Sequence, residues 1–389
     1  MEYWIWLSNA LGPGSPRVND VVAHYETARH FYEEKKTEFR SVSFLSAAER
    51  KRLCEAKLSD ALRIREKTLA KGYHILTPER KEYPDRLRNI YAMPAVLYVD
   101  GDLGDIDENV AIAVVGTRKC TDYGLYAAAD FGKGLAKGGA VVITGLAKGI
   151  DGAAHEAALR AGGTCIAVLG CGLDVAYPSE HAAMQKETAR KGAVVTEYPL
   201  GTRPEGFHFP IRNRIMSALS LGVVVVEGDR RSGALITANC ALEQGKDVYA
   251  VPGSIYSRAS QGPLHLLRTG AIPVTRPREI LEEYRYRYGA KIRWEASEPE
   301  TAAPVKPTAA KEQPVPQAEE VTIREKRPLP ADADETMVKI YGILSEIPIH
   351  VDEIAAQTQK NPAEVLTALS ELEIMGFVSA NAGRRFSIS

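Results

Sequence analysis

Four short apolar runs in this chain each end in a glycine-bearing turn. Residues 110–115 lead into Gly116-Thr117-Arg118, and 141–144 into Gly145-Leu146-Ala147-Lys148-Gly149. Residues 166–169 lead into Gly170-Cys171-Gly172, and 223–226 into Glu227-Gly228 and then Arg230-Arg231-Ser232-Gly233. Runs without polar alternation suit strands covered on both faces, the habit of parallel sheets. Helices are expected between them, over 123–137, 150–161, 179–190, 211–219 and 234–244, which gives βαβ units and an α/β class. Of the 32 glycines, 21 lie between Gly116 and Gly253, so the tight turns concentrate there. Open α/β sheets take ligands beyond the carboxyl ends of their strands. The expected rim offers bare backbone N–H groups and a few cations, which suits phosphate, and more than one phosphate.

The flanks read differently. Residues 1–72 look helical, with Val18, Val21, Val22, Tyr25 and Ala28 spaced for one face of a second helix and a third helix over 47–69. Gly12-Pro13-Gly14 between short helices resembles a helix-hairpin-helix turn; plain helical packing and DNA contact through the turn are both open. A bridge follows, with strands near Ile75 and over 96–99 and a helix over 85–90, and the α/β body is expected over 73–290. Residues 296–333 hold seven prolines among Ala, Glu, Thr and Lys, which predicts a disordered linker. Helices over 335–345 and 351–358, a third opened by Asn361-Pro362, and a hairpin around Gly383 predict a winged helix over 334–389. Winged helices usually enter a DNA groove, yet the third helix carries Glu364, Glu371 and Glu373 and no Lys or Arg. Only Lys360, Arg384 and Arg385 offset that acid, so a protein-binding or weakly DNA-binding module is expected.

Charge excludes little. The 49 Lys and Arg nearly balance 50 Asp and Glu, which argues against a general nucleic-acid coat and leaves room for a local basic patch. The five cysteines show no C-x-x-C spacing and read as thiols of a reducing compartment. The start Met1-Glu2-Tyr3-Trp4-Ile5-Trp6 lacks a basic signal region, and no uncharged run approaches a membrane span of ~18 residues. A cytoplasmic location follows as an expectation.

Several constellations carry chemistry. Gly116-Thr117-Arg118 sets a glycine and a hydroxyl where a helix begins, and helix N-termini bind anions. Arg118 adds a planar fork for phosphate oxygens. Gly145 and Lys148 belong to a second such turn. Asp151 and His155, one helical turn apart, read as an acid–base or metal pair or, more plainly, as a cap and a packed histidine. Phe209, Arg212, Asn213 and Arg214 form the densest cation cluster. Arg212 and Arg214 cannot aim the same way from one helix, so one is expected to pair internally with Glu197 or Glu227. Arg231, Ser232, Gly233 and Thr237 make another anion cradle. Phe207, Phe209 and Tyr177 are candidate stacking surfaces for bases, worth ~1–3 kcal/mol each. No G-x-G-x-x-G follows the first strand and no G-x-x-x-x-G-K-[ST] occurs, so dinucleotide or ATP binding in the usual modes is unsupported. Neither G-x-S-x-G nor H-E-x-x-H is present.

The segments 113–118, 145–155, 170–178, 209–215, 232–238 and Val251-Pro252-Gly253, in this order and spacing, resemble the DprA/Smf family of DNA-processing proteins of bacterial natural transformation. The resemblance covers about 75–285. It implies an extended Rossmann-like parallel sheet core with a small N-terminal helical domain of SAM or helix-hairpin-helix type and a C-terminal winged-helix domain. It implies a homodimeric, non-enzymatic protein without cofactor that binds incoming single-stranded DNA, shields it, and loads RecA past single-strand binding protein. Arg118 is then the foremost phosphate contact. The segment after Tyr177-Pro178 also borders DNA in the family; many members have lysine there, where this chain has Ser179-Glu180-His181. Lys148 or Arg212 would have to compensate. Two other functions fit the same residues: a nucleoside-monophosphate phosphoribohydrolase, though its P-G-G-x-G-T turn is reduced here to Val251-Pro252-Gly253-Ser254, and a scaffold that binds the recombinase without DNA.

Overall fold

The computed structural model describes residues 1–35, 39–294, 328–330, 333–345, 349–381 and 385–388. They fall into two compact units, one ending at Trp294 and one beginning at Pro328. The predicted linker falls almost wholly outside the described residues, as do Gly383 and Arg384.

The first unit is built on nine strands: β1 His74–Leu76, β2 Leu97–Gly101, β3 Ala111–Val115, β4 Val141–Thr144, β5 Cys165–Leu169, β6 Ala193–Thr196, β7 Gly222–Val225, β8 Asp247–Ala250 and β9 Ile272–Pro273. Their order in the sheet is β1-β2-β6-β5-β4-β3-β7-β8-β9. From β6 to β9 all neighbours are parallel, and β1 and β2 add an antiparallel edge. The chain lays β3 to β6 outward in one direction, then returns and sets β7 on the free side of β3. Strand order reverses there, which is where α/β sheets open a crevice.

The expected apolar runs behave as doubly covered strands. Ala111, Ala113 and Val115 enter one core, while Ile112 and Val114 enter the core on the opposite face. That is the period of two that a pleated strand imposes. Helices α7 Asp122–Lys137 and α8 Ile150–Arg160 cover one face, with α13 Pro277–Glu283. The other face carries α10 His208–Leu219, α11 Gly233–Glu243 and the amino-terminal helices. The short α6 Asp85–Arg88 with α9 Ala182–Lys191, α12 Gln261–Arg268 and α14 Arg285–Tyr288 complete the helices of the unit.

The amino-terminal segment is helical: α1 Glu2–Leu11, α2 Arg17–Tyr25, α3 Ala28–Lys35, α4 Ala47–Glu55 and α5 Leu58–Ala70. Trp4, Ile5, Trp6 and Leu7 are buried in the same core as the sheet. Where one helix was expected over 47–69, the chain breaks at Ala56 and Lys57, which are extended. Trp6 Nε1 donates to the Ala56 carbonyl at 3.1 Å, so a tertiary partner satisfies the group that the break frees. The Gly12-Pro13-Gly14 turn also packs inward. The Gly14 amide donates to Glu197 at 3.2 Å, and a Cβ on Gly14 would meet the Ile211 side chain. That amide is not offered to a DNA backbone.

The second unit has α15 Glu335–Ile343, α16 Val351–Thr358 and α17 Pro362–Ile374, with strands β10 Ile349–His350, β11 Val378–Asn381 and β12 Arg385–Ile388 in the order β10-β12-β11. Asn361 caps α17 through the Ala363 amide at 2.9 Å, with Pro362 at the first helical position. Glu364, Glu371 and Glu373 all stand on the exposed side of α17.

Candidate nucleic-acid interface

A cleft of about 320 Å³ opens where strand order reverses, between the carboxyl ends of β3 and β7. Gly116 and Thr117 form one wall. A Cβ on Gly116 would strike the Ile150 side chain of α8, so only glycine lets the turn lie this close. The Thr117 amide donates to the Glu227 carbonyl at 2.8 Å, which ties the β3 turn to the β7 turn. The start of α7, however, is not an open anion site. Buried Glu227 accepts from the Thr121 hydroxyl at 2.6 Å and its amide at 2.9 Å, so a carboxylate already occupies that helix end. The start of α11 is the open one. Ser232 caps it through the Ala234 amide at 3.4 Å, and Gly233 is exposed on the cleft with no atom near its absent side chain.

Helix α10 supplies the opposite wall. Phe209, Arg212, Asn213 and Met216 follow at three, four and seven residues, and so share one face. Arg212 is only 4 % exposed. Its Nη1 donates to Met216 Sδ and its Nη2 to the Gly145 carbonyl at 3.4 Å, while Nε has no partner among the described residues. Burial lowers its pKa to about 10, against the pull of Asp151, so it stays a cation at neutral pH. Asp151 accepts from the Gly145 amide at 3.0 Å. Burial raises its pKa, and Arg212 with the amides of Gly145 and Gly116 opposes the rise. Gly145 is the hinge of this layer: a Cβ there would fall on the Arg212 guanidinium. The exposed Arg118 lies with its guanidinium carbon 4.9 Å from the Phe209 ring centroid, in cation–π contact. Tyr177 packs on the same ring at 5.5 Å.

Nine of the residues singled out from sequence therefore meet in one cleft: Gly116, Thr117, Arg118, Phe209, Arg212, Asn213, Ser232, Gly233 and Thr237. Gly145 reaches it through Arg212, and Tyr177 through Phe209. Four others lie elsewhere. Lys148 is paired with Glu180 at 2.7 Å. Ser179 is exposed in a short 3-10 turn outside the lining. Arg231 is exposed beyond the cleft, its amide held by Asp229 at 2.8 Å. Arg214, grouped with the DNA contacts from sequence, is corrected by its environment. It lies on another face of α10, where Nη2 donates to both Glu197 oxygens at 2.8 and 2.7 Å. Of the two arginines, Arg212 faces the cleft and Arg214 is the internal ion pair.

Asp151 and Met216 also line the cleft. From sequence the first reads either as one of an acid–base or metal pair with His155 or as a helix cap, and the second carries no signal beyond its place seven residues after Phe209. His155 takes the plain reading. It is fully buried between Thr144 Oγ1 at 2.9 Å and Thr188 Oγ1 at 2.7 Å, and burial lowers its pKa to about 3. The described residues contain no group of three or more His, Cys, Asp or Glu placed to hold a metal. No described helix is long and apolar enough to cross a membrane.

Comparison with known proteins decides the lineage. The model of the DNA recombination-mediator protein A family matches residues 74–285, more than half of the chain. The chain belongs to the DNA recombination-mediator protein A family. The DprA winged helix domain matches residues 324–384. Protein Smf of Escherichia coli (strain K12) is 37% identical over 313 residues, which cover 80% of this chain and 76% of that one. Protein Smf of Synechocystis sp. is 31% identical over 403 residues, covering 99% and 98%. The X-ray structure of DNA processing protein A from Streptococcus pneumoniae aligns at a TM-score of 0.62 and 34% identity, over 73% of this chain and 98% of that one. The DprA/Smf resemblance and the α/β class with a winged helix are thus borne out.

Proposed function

We propose that this chain binds single-stranded DNA across the β3–β7 cleft and acts as a mediator that protects the strand and loads RecA onto it past single-strand binding protein. The observation that carries this reading is the convergence of Arg118, Arg212 and Asn213 with the turns Gly116-Thr117 and Ser232-Gly233 on one rim. Arg118 is exposed and offers the phosphate fork. Arg212 and the start of α11 supply fixed positive potential behind it. A single strand suits the site because bases can turn toward Phe209 once Arg118 leaves its ring for a phosphate. The helical segment 1–72, the body 73–290 and the winged helix 334–389 act as its parts, in a cytoplasmic homodimer.

The reading is of a binding protein and not an enzyme. The carboxylate nearest the cleft, Asp151, is committed to the Gly145 amide, and His155 is sealed between two threonines. Fluorescence anisotropy with matched single-stranded and duplex oligonucleotides tests DNA choice; equal affinity for both would sink the single-strand claim. Strand exchange by RecA on DNA coated with single-strand binding protein tests loading. Release of base from nucleoside monophosphates would replace the whole reading with the hydrolase.

A further inference from the structure

Helix α10 has a second working face. Phe209, Arg212, Asn213 and Met216 look into the first cleft, whereas Pro210 and Arg214, four residues apart, line another of about 500 Å³ beside α6 and the end of α11. The charges around this second cleft differ in how fully they are engaged. Arg86 gives Nη1 to the Leu219 carbonyl at 2.9 Å and Nη2 to the Asn109 carbonyl at 2.7 Å. Asp85 is held by Arg88 at 2.7 Å. Arg214 is only 8 % exposed, and beyond its pairing with Glu197 its Nε and Nη1 have no partner among the described residues. Lys246 is half-buried, and its ammonium has no hydrogen bond or close ion pair among the described residues; burial and Arg86 lower its pKa, while Asp107 and Asp247 pull the other way from a distance. Glu243 is the acid left at the mouth, exposed to water.

A half-buried ammonium without a close partner gains a charge-assisted contact when an oxyanion enters beside it. Tyr91, 78 % exposed at the same cleft, adds a flat aromatic surface beside these cations. We propose that this second cleft is a phosphate site separate from the first, with Lys246 as its donor, the Arg214–Glu197 pair as its fixed floor and Tyr91 as the stacking surface for the attached base. The phosphate belongs either to a free nucleotide or to a DNA strand that continues past the start of α10. The site is independent of the first cleft's role and adds to it.

The test uses the full chain carrying Arg118→Ala, which weakens the first cleft, with and without Lys246→Gln. Thymidine 5′-monophosphate is titrated by calorimetry, and an oligothymidylate by anisotropy. Binding in at least one arm is expected to weaken about tenfold on Lys246→Gln, the worth of one charge-assisted contact. A loss in the nucleotide arm identifies a free nucleotide as the ligand, and a loss confined to the oligonucleotide arm identifies the strand. Tyr91→Ala is expected to weaken the same arm. Arg214→Gln strands the Glu197 carboxylate and threatens the fold, so Lys246 and Tyr91 carry the test. Affinities unchanged by Lys246→Gln in both arms overturn the proposal. Failure of the first cleft is read from a different pair, wild type against Arg118→Ala.

Discussion

The sheet unit and the carboxyl-terminal unit make an instructive pair. Both folds can hold nucleic acid, yet their charges are arranged in opposite senses. At the sheet rim the acids are engaged: Asp151 with the Gly145 amide, Glu227 with Thr121, and Glu180 with Lys148. The cations Arg118 and Arg212 are left to define the cleft. On α17 the order is reversed, with Glu364, Glu371 and Glu373 exposed and Lys360 4.0 Å from Glu364. A fold supplies a platform, and the side chains on it decide what binds. On the proposed function, the acid on α17 sets this winged helix against groove reading, while the parallel sheet, without a nucleotide fingerprint, offers the anion its cations and turn amides.

The harshest way to break this contrast is Gly145→Val. The new side chain would fall on the Arg212 guanidinium, so overpacking should lower stability by about 1–3 kcal/mol. Displacement of Arg212 should weaken oligonucleotide binding by more than about tenfold. Urea titration and anisotropy check the two effects; an unaltered affinity would show that Arg212 does not shape the cleft. A milder change sharpens the contrast. Glu180→Gln frees Lys148 from its partner at the rim, and should tighten DNA binding about twofold to fivefold at low salt, with the gain fading as salt rises. No gain at low salt would place Lys148 outside the track. The smallest effect is expected on the other unit. Replacing Glu371 and Glu373 by alanine should change single-strand affinity by less than about twofold; a large gain would mean that α17 meets DNA after all.

Much of this arrangement was legible in the sequence, for physical reasons. Continuous β-branched runs such as Val223-Val224-Val225-Val226, bounded by turn residues, read as doubly covered strands, and Gly116 and Gly145 after two such runs sit where a side chain has no room. That was enough to bring nine cleft residues together. That one of Arg212 and Arg214 pairs internally was legible, with Glu197 among the candidate partners; which one does so was not, because it depends on tertiary partners: Met216 and Gly145 hold Arg212, Glu197 holds Arg214. The start of α10 shifted too, from the expected Ile211 to His208, since Pro210 sits within the first turn, where its missing N–H does no harm. The break between α4 and α5 was hidden because its carbonyl acceptor is served by Trp6, fifty residues away. Likewise, nothing local announces that Glu227 closes the start of α7.

The central claim is that the β3–β7 rim is a phosphate track in which Arg118 makes a direct contact. The affinity of a single-stranded oligonucleotide, measured across a salt titration for wild type and Arg118→Ala, tests it most directly. If Arg118 neutralises one phosphate, the variant binds about tenfold more weakly and its log–log salt slope is shallower by about 0.7–1. Parallel lines of equal affinity would contradict the account and move the DNA away from this cleft.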